Sequence, residues 1–136
     1  MRNKKKHYIV ITIIVVIVFF SFALACSDST PKESKEYSVE YQLAVINEGG
    51  YVEEDDQIVK EFKTLVDSID KKVVEGPTEI GDILVTSQEI LVDKYDIRIS
   101  LLELTRNLEE SLPDDSTNLN FEEMAVAYII ILGESQ

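Results

Sequence analysis

The feature that most constrains the fold is an apolar repeat between the acidic residues 53–56 and the pair Gly76-Pro77. Its members recur three and four positions apart, which is the spacing of one face of an α-helix. They are Ile58, Val59, Phe62, Leu65, Val66, Ile69 and Val73. The acidic residues lie where the positive end of the helix dipole would be, and the Gly-Pro pair ends the helix. The sequence therefore predicts a helix that buries one apolar face.

Two further helices are predicted after Pro77. The first covers residues 78–94, and its apolar stripe consists of Ile80, Ile83, Leu84, Ile90 and Leu91. The second starts after Ser100, which has the spacing of a capping box with Glu103, and it ends before Pro113. We expect this helix to turn Leu101, Leu104 and Leu108 inward.

A last helix is predicted from the capping pattern of Asn120 and Glu123. Nine consecutive apolar residues, 124–132, follow this cap, and Gly133 is positioned to end the helix. At about 12 residues, the helix is too short to span a bilayer. Because it is apolar on all sides, we expect it in the middle of a bundle or beneath a partner.

Residues 37–46 fit two patterns. Tyr37, Val39, Tyr41, Leu43 and Val45 alternate as in a strand, whereas Val39, Leu43 and Ile46 share one helical stripe. The following Gly-Gly pair is a typical helix end, and no clear partner strand follows. We therefore predict a helix, with an α+β fold as the alternative if this block is a strand.

The predicted fold is an all-α bundle of four or five helices within residues 37–133. Its expected core contains Leu43, Ile58, Phe62, Leu65, Ile69, Ile80, Leu84, Leu91, Leu101, Leu104, Leu108, Val126, Ile129 and Ile130. A bundle of this length buries enough apolar surface to fold without a metal or a disulfide.

The first 26 residues have a different organisation. Arg2 and Lys4 to Lys6 form a basic start, residues 8–20 are almost wholly apolar, and small residues precede Cys26, the only cysteine. This is the three-part layout of a secretory signal. We therefore divide the chain into a signal peptide (1–25), a polar linker (26–36) and an acidic helical domain (37–136).

The segment Ala23-Leu24-Ala25-Cys26 resembles the lipobox of bacterial lipoproteins, although Ala23 stands where Leu is usual. The resemblance implies that signal peptidase II cuts between Ala25 and Cys26 after a diacylglyceryl group has joined the Cys26 sulfur. The expected covalent lipid carries fatty acyl chains such as palmitate, and two chains give a stable membrane anchor where one binds only marginally.

Two other outcomes fit the same residues. Ala23-Leu24-Ala25 is also an A-x-A exit for ordinary signal peptidase, which would release a secreted protein with a free Cys26. Residues 8–25, left uncut, would form a short membrane-spanning helix of 18 positions. In each case, the basic start stays cytoplasmic and the acidic domain lies on the extracytoplasmic side of the cell membrane or outer envelope.

Charge limits the partners of the domain. All 26 Asp and Glu follow Cys26, together with nine of the 13 Lys and Arg, which leaves a net charge of −17. Such a surface repels nucleic acid and anionic headgroups and favours at most a cationic partner. We therefore expect membrane association through the lipid, no nucleic acid, and an envelope or extracellular protein or a cationic peptide as partner.

The sequence holds no recognisable catalytic constellation. His7, the only histidine, lies within the signal, and no second cysteine is present, so His-based triads and zinc sites are not expected. The adjacent carboxylates of residues 53–56 fit helix capping far better than acid–base work, which needs two different environments. We expect no catalytic residue, metal or other cofactor.

Two weaker patterns remain. Asp114, Ser116, Asn118 and Asn120 alternate like calcium ligands, but Leu119 replaces the central glycine and Ala125 the final Glu, so a helix-linking loop is favoured. Tyr37, Tyr41 and Tyr51 lie near the Gly-Gly turn and suggest a rim for a partner, although the apolar last helix is the stronger candidate. The favoured function is a lipid-anchored binding domain; the alternatives are a passive structural lipoprotein and a carboxylate-based hydrolase.

Overall fold

The computed structural model describes residues 36–115 and 117–135. They form five α-helices: α1 (Val39–Glu48), α2 (Gln57–Asp70), α3 (Pro77–Tyr95), α4 (Leu101–Ser111) and α5 (Phe121–Glu134). No strand occurs within these ranges, and an isolated parallel bridge joins Val73 to Leu119. The predicted all-α bundle is therefore confirmed, and the block after Tyr37 is a helix.

Local signals set most of the helix ends, although α2 ends at Asp70, six positions before Gly76, which was predicted to end it and instead precedes the first residue of α3. Gly49 ends α1 in a left-handed conformation, φ 67°, which glycine adopts without a steric penalty. The Asp56 side chain accepts a hydrogen bond from the Ile58 N–H at the start of α2, as the acidic cluster indicated. Ser100 and Asn120 accept from the N–H groups of Glu103 and Glu123 in the same way, as their spacing predicted.

The third helix is the centre of the bundle. Helix α3 packs against all four other helices, while α5 packs only against α3 and α4 among the described elements. Gly81 permits the close approach of α1, because a Cβ built on it would lie 2.7 Å from Val39 Cγ1. The described helices all belong to one compact unit, Tyr37–Gln136.

The core contains most of the expected side chains. Leu43, Phe62, Ile69, Ile80, Leu84, Leu91, Leu101, Leu104, Leu108 and Ile129 are buried, and Ile58 and Leu65 are half-buried. The core also contains residues that the periodicity did not single out, among them Phe121, Ala125 and Leu112. Their burial supplies the apolar area that stabilises the fold.

The placement of the last helix corrects the prediction. Val126 and Ile130 were expected in the core but are 47% and 43% exposed, because α5 lies at the edge of the bundle instead of its middle. The face with Phe121, Ala125 and Ile129, spaced four apart, is buried instead. In an unbroken apolar run no polar residue marks the outer face, so periodicity could not select it.

Gly133 also differs from its expected role. It lies inside α5 and does not cap it, since Ser135 occupies the C-cap position. A Cβ on Gly133 would overlap the Tyr95 ring at the end of α3. The glycine therefore serves close helix packing. None of the described helices is long and apolar enough to cross a membrane.

Candidate binding surfaces

The signal and the lipidation position lie outside the described residues. This applies to Ala25 and Cys26, and to the whole segment 1–25. The sites described below belong to the helical domain.

The acidic residues 53–56 serve the start of α2. Asp56 caps the helix with a 3.2 Å hydrogen bond to the Ile58 N–H, and all four carboxylates are exposed to solvent. All four therefore share one solvated environment, whereas acid–base catalysis needs two carboxyls held in different environments. The capping interpretation therefore holds for Asp56.

The loop after α4 holds an ion pair at its first acidic residue. Asp114 lies 3.5 Å from the Lys72 ammonium, with its own side chain almost fully exposed. Ser116 lies outside the described residues, and the described part of the chain contains no group of three or more acidic, His or Cys side chains arranged to hold a metal.

Lys72 belongs to a half-buried network between α2 and α4. Its ammonium donates to Glu109 at 3.2 Å, and the Ser68 hydroxyl donates to the same carboxylate oxygen at 2.6 Å. Burial disfavours the Lys72 charge, but the hydrogen bond and charge of Glu109, with those of Asp114, outweigh it and raise the pKa of Lys72. The Ser68 hydrogen bond, joined by that of Lys72 and its charge, outweighs burial and lowers the pKa of Glu109. The network is structural: it fixes two helices.

The three tyrosines near the Gly-Gly turn lie close together, with Tyr37 and Tyr51 exposed and Tyr41 buried. Tyr37 and Tyr41 stack with ring centroids 4.6 Å apart, and the Tyr41 hydroxyl donates to the Val52 carbonyl at 3.1 Å. That bond ties the loop after α1 to the helix, while the Tyr51 ring is 85% exposed. With Gln42, Val45 and Ile46, these tyrosines line a concavity of about 460 Å³, which we call the tyrosine groove.

A second concavity also has Tyr51 in its lining. It measures about 670 Å³, and we call it the acidic hollow. Its described lining consists of Glu48, Tyr51, Val52, Glu53, Asp56, Gln57, Ile58, Glu61 and Leu102. Glu61 is paired with Arg106 and Asp56 caps α2, so Glu48 and Glu53 are the two carboxylates left facing solvent without a cation among the described residues.

A smaller groove, of about 200 Å³, separates α3 from α5. Its apolar lining includes Ile83, Ile90, Val126 and Ile129, and Asp82 and Glu122 flank it. This is the surface part of the apolar last helix that the sequence favoured as a contact region. It is less than half the size of the tyrosine groove and holds no aromatic side chain among its described lining.

Sequence reasoning identified the tyrosines but missed their neighbours. Val45, Ile46 and Glu48 lie on the outer face of α1, and only the direction in which α1 packs shows that they join the tyrosines. Tyr95 lies elsewhere, against Gly133. The exposed aromatic in a loop was the available signal, since exposed tyrosines are enriched at interfaces.

The chain matches no known protein family, and no protein of described function and no solved structure shows significant similarity to it.

Proposed function

We propose that this protein is a lipoprotein that displays a binding domain on the extracytoplasmic side of a membrane, held by lipid on Cys26. The observation that carries the proposal is the order of the first 26 residues: basic start, apolar middle, small-residue exit and a single cysteine. A diacylglyceryl group on that cysteine supplies two acyl chains, enough for stable anchoring.

The charge of the domain supports the same arrangement. With a net charge of −17 after Cys26, the domain is repelled by anionic headgroups and stands away from the bilayer on its polar linker. Its surface is then presented to proteins of the envelope or the extracellular space.

The tyrosine groove supports binding as the task of the domain. Tyr51 and Tyr37 expose aromatic surface at a concavity, with Tyr37 stacked on the buried Tyr41, and tyrosine is enriched among the few residues that supply most of the energy in protein interfaces. Positions 45 and 46 add aliphatic area at the same place.

A crosslinking pull-down from the native cells tests the proposal. The full-length tagged protein should enrich one envelope or extracellular protein, and Tyr51→Ser should abolish that enrichment. Ile131→Ser is the matched control, because Ile131 is 70% exposed on α5 and its loss also removes apolar surface. It should leave the enrichment unchanged.

The outcome that contradicts binding is equally definite. The chain is a passive spacer if two results occur together. No envelope or extracellular protein is enriched, and cells retain the protein's function when an unrelated helical domain replaces residues 37–136. Membrane fractionation of the Cys26→Ser protein tests the anchor separately. The membrane pellet should then contain no lipid-modified form of the protein.

A further inference from the structure

We infer that the tyrosine groove and the acidic hollow together bind a basic peptide segment, with an apolar side chain in the groove and Arg or Lys side chains in the hollow. This inference rests on the proposed binding function and adds the chemistry of the partner.

Tyr51 connects the two concavities. It lines both of them and is 85% exposed, so a side chain that lies against its ring borders the groove and the hollow together. A guanidinium or ammonium stacked on this ring gains a cation–π attraction. Arg is suited to the site because its planar group stacks on an aromatic face and donates to carboxylates at the same time.

Charge complementarity selects the occupant. The described lining of the two concavities contains no Lys or Arg, whereas the hollow contains Glu48, Glu53, Asp56 and Glu61. Glu48 and Glu53 are not engaged in capping or ion pairing among the described residues, so they meet an incoming cation. A second copy of this chain is disfavoured as occupant, since each mature copy carries a net charge of −17.

The apolar part of the site fixes where the peptide lies. The tyrosine groove, about 460 Å³, has the three tyrosines, Val45 and Ile46 in its lining, with Tyr37 and Tyr51 the exposed rings, and it accepts an aliphatic or aromatic side chain. The hollow, about 670 Å³, has room for more than one basic side chain. The segment recognised is therefore one that places basic residues next to an apolar anchor.

Glu48 offers a clean test of the charge. It is the last residue of α1, where a carboxylate opposes the helix dipole, and its Oε1 accepts a 2.9 Å hydrogen bond from the Asn47 side-chain amide. Glu48→Gln removes the charge and keeps a carbonyl oxygen that can accept this bond. Glu134 occupies the same position at the end of α5, is exposed, and lies outside both concavities. Glu134→Gln with Glu110→Gln thus matches the net-charge change of Glu48→Gln with Glu53→Gln.

The probe is a short capped peptide that alternates Arg and Gly around one central Leu, labelled for fluorescence anisotropy. It is titrated with the mature lipidated protein in detergent. Binding should weaken about tenfold in the Glu48→Gln, Glu53→Gln protein, as two partly exposed ion pairs imply, and less than about twofold in the matched control. Added salt should weaken it further, because 1 M salt screens charges beyond about 3 Å.

Variants of the aromatic ring separate its role from the charges. Tyr51→Ser should weaken binding by about tenfold, while Tyr51→Phe keeps the ring face and should retain most of the affinity. A peptide in which citrulline replaces each Arg should not bind, since citrulline keeps the shape and removes the charge.

Several results would overturn the inference. No binding of the Arg peptide would do so, as would equal losses in the two double variants, which would show adhesion to the acidic surface as a whole. Capture of the native partner that is sensitive to Tyr51→Ser but unaffected by Glu48→Gln with Glu53→Gln would also overturn it, while leaving the proposed binding function intact.

Discussion

Replacing Glu75 tests how the last helix is held in place. This side chain, 46 positions upstream, accepts hydrogen bonds from the Phe121 N–H at 3.0 and 2.9 Å and lies 3.5 Å from the Glu122 N. It joins Asn120, which accepts from the Glu123 N–H, in covering the start of α5. Two distant parts of the chain therefore cap one helix.

The expected cost follows from these bonds. Glu75→Ala leaves the half-buried Phe121 N–H without its acceptor and removes a negative charge from the positive end of α5. A lost charge-assisted bond and cap together amount to about 2 kcal/mol of unfolding free energy. Glu75→Gln keeps one of the two acceptor oxygens and loses the charge, so it should cost less than Glu75→Ala, about 0.5–1 kcal/mol.

Urea and thermal unfolding, followed by circular dichroism, measure both values. For a domain of this size, Glu75→Ala should lower the Tm by about 10 °C without changing the urea m-value. Glu134→Ala, an exposed carboxylate at the other end of α5, is the control and should shift the free energy by less than about 0.5 kcal/mol. A Glu75→Ala protein as stable as this control would refute the capping account.

Three other tests, with four substitutions, have definite expected outcomes. Gly133→Ala should destabilise the domain in urea by about 1–3 kcal/mol, although Ala favours helices, because its Cβ overlaps the Tyr95 ring; a stabilised variant would contradict the packing. Ile129→Ala should lower the free energy of unfolding by about 3 kcal/mol, because Ile129 is buried, and Ile130→Ala by about 0.5 kcal/mol or less, because Ile130 is exposed. Equal losses would contradict the position of α5. Glu109→Gln should lower the free energy of unfolding at pH 7, and its difference from wild type should shrink as the pH falls below 4.5. Urea titrations at each pH measure this difference, and a constant difference would contradict the ionised network.

The direction in which pH changes stability follows from the two groups whose pKa values are shifted, Glu109 and Lys72. The pKa of Glu109 is lower in the folded state, so its contribution is present above the ordinary value of 4.5 and is lost as the pH falls through the folded value. The pKa of Lys72 is raised, so its contribution is present below 10.5 and is lost as the pH rises beyond that value. The network therefore stabilises the domain throughout the neutral range.

The helices were predictable because their signals are local. Asp56, Ser100 and Asn120 each precede the N–H groups that they cap by two or three positions, and Gly49 ends α1 through its own φ angle. Amphipathic spacing likewise identified the buried face of α2, where polar residues alternate with apolar ones and mark the outside.

The interactions that sequence could not show join distant positions. Nothing around Glu75 indicates that it caps a helix 46 residues later, and nothing around Asn47 indicates that it accepts from the Leu102 N–H at 2.9 Å. Such partners depend on how the helices are packed, which the hydrogen-bonding capacity of a side chain does not specify.

The candidate site shows the same limit. Tyr51 was noticeable as a tyrosine near a turn, but its place between a groove and a hollow follows from the packing of α1 against α2. The exposed face of α5 was predicted wrongly, because nine consecutive apolar residues do not mark which side of the helix faces solvent. A surface composed of residues from separate helices requires the fold before it can be recognised.

Intact mass of the protein purified from native membranes tests the central proposal most directly. The wild-type protein should begin at Cys26 and carry the mass of a diacylglyceryl group with its acyl chains. The Cys26→Ser protein should keep residues 1–25 and have no lipid. A wild-type chain that starts at Cys26 without added mass, or that retains the whole signal without lipid, would contradict it.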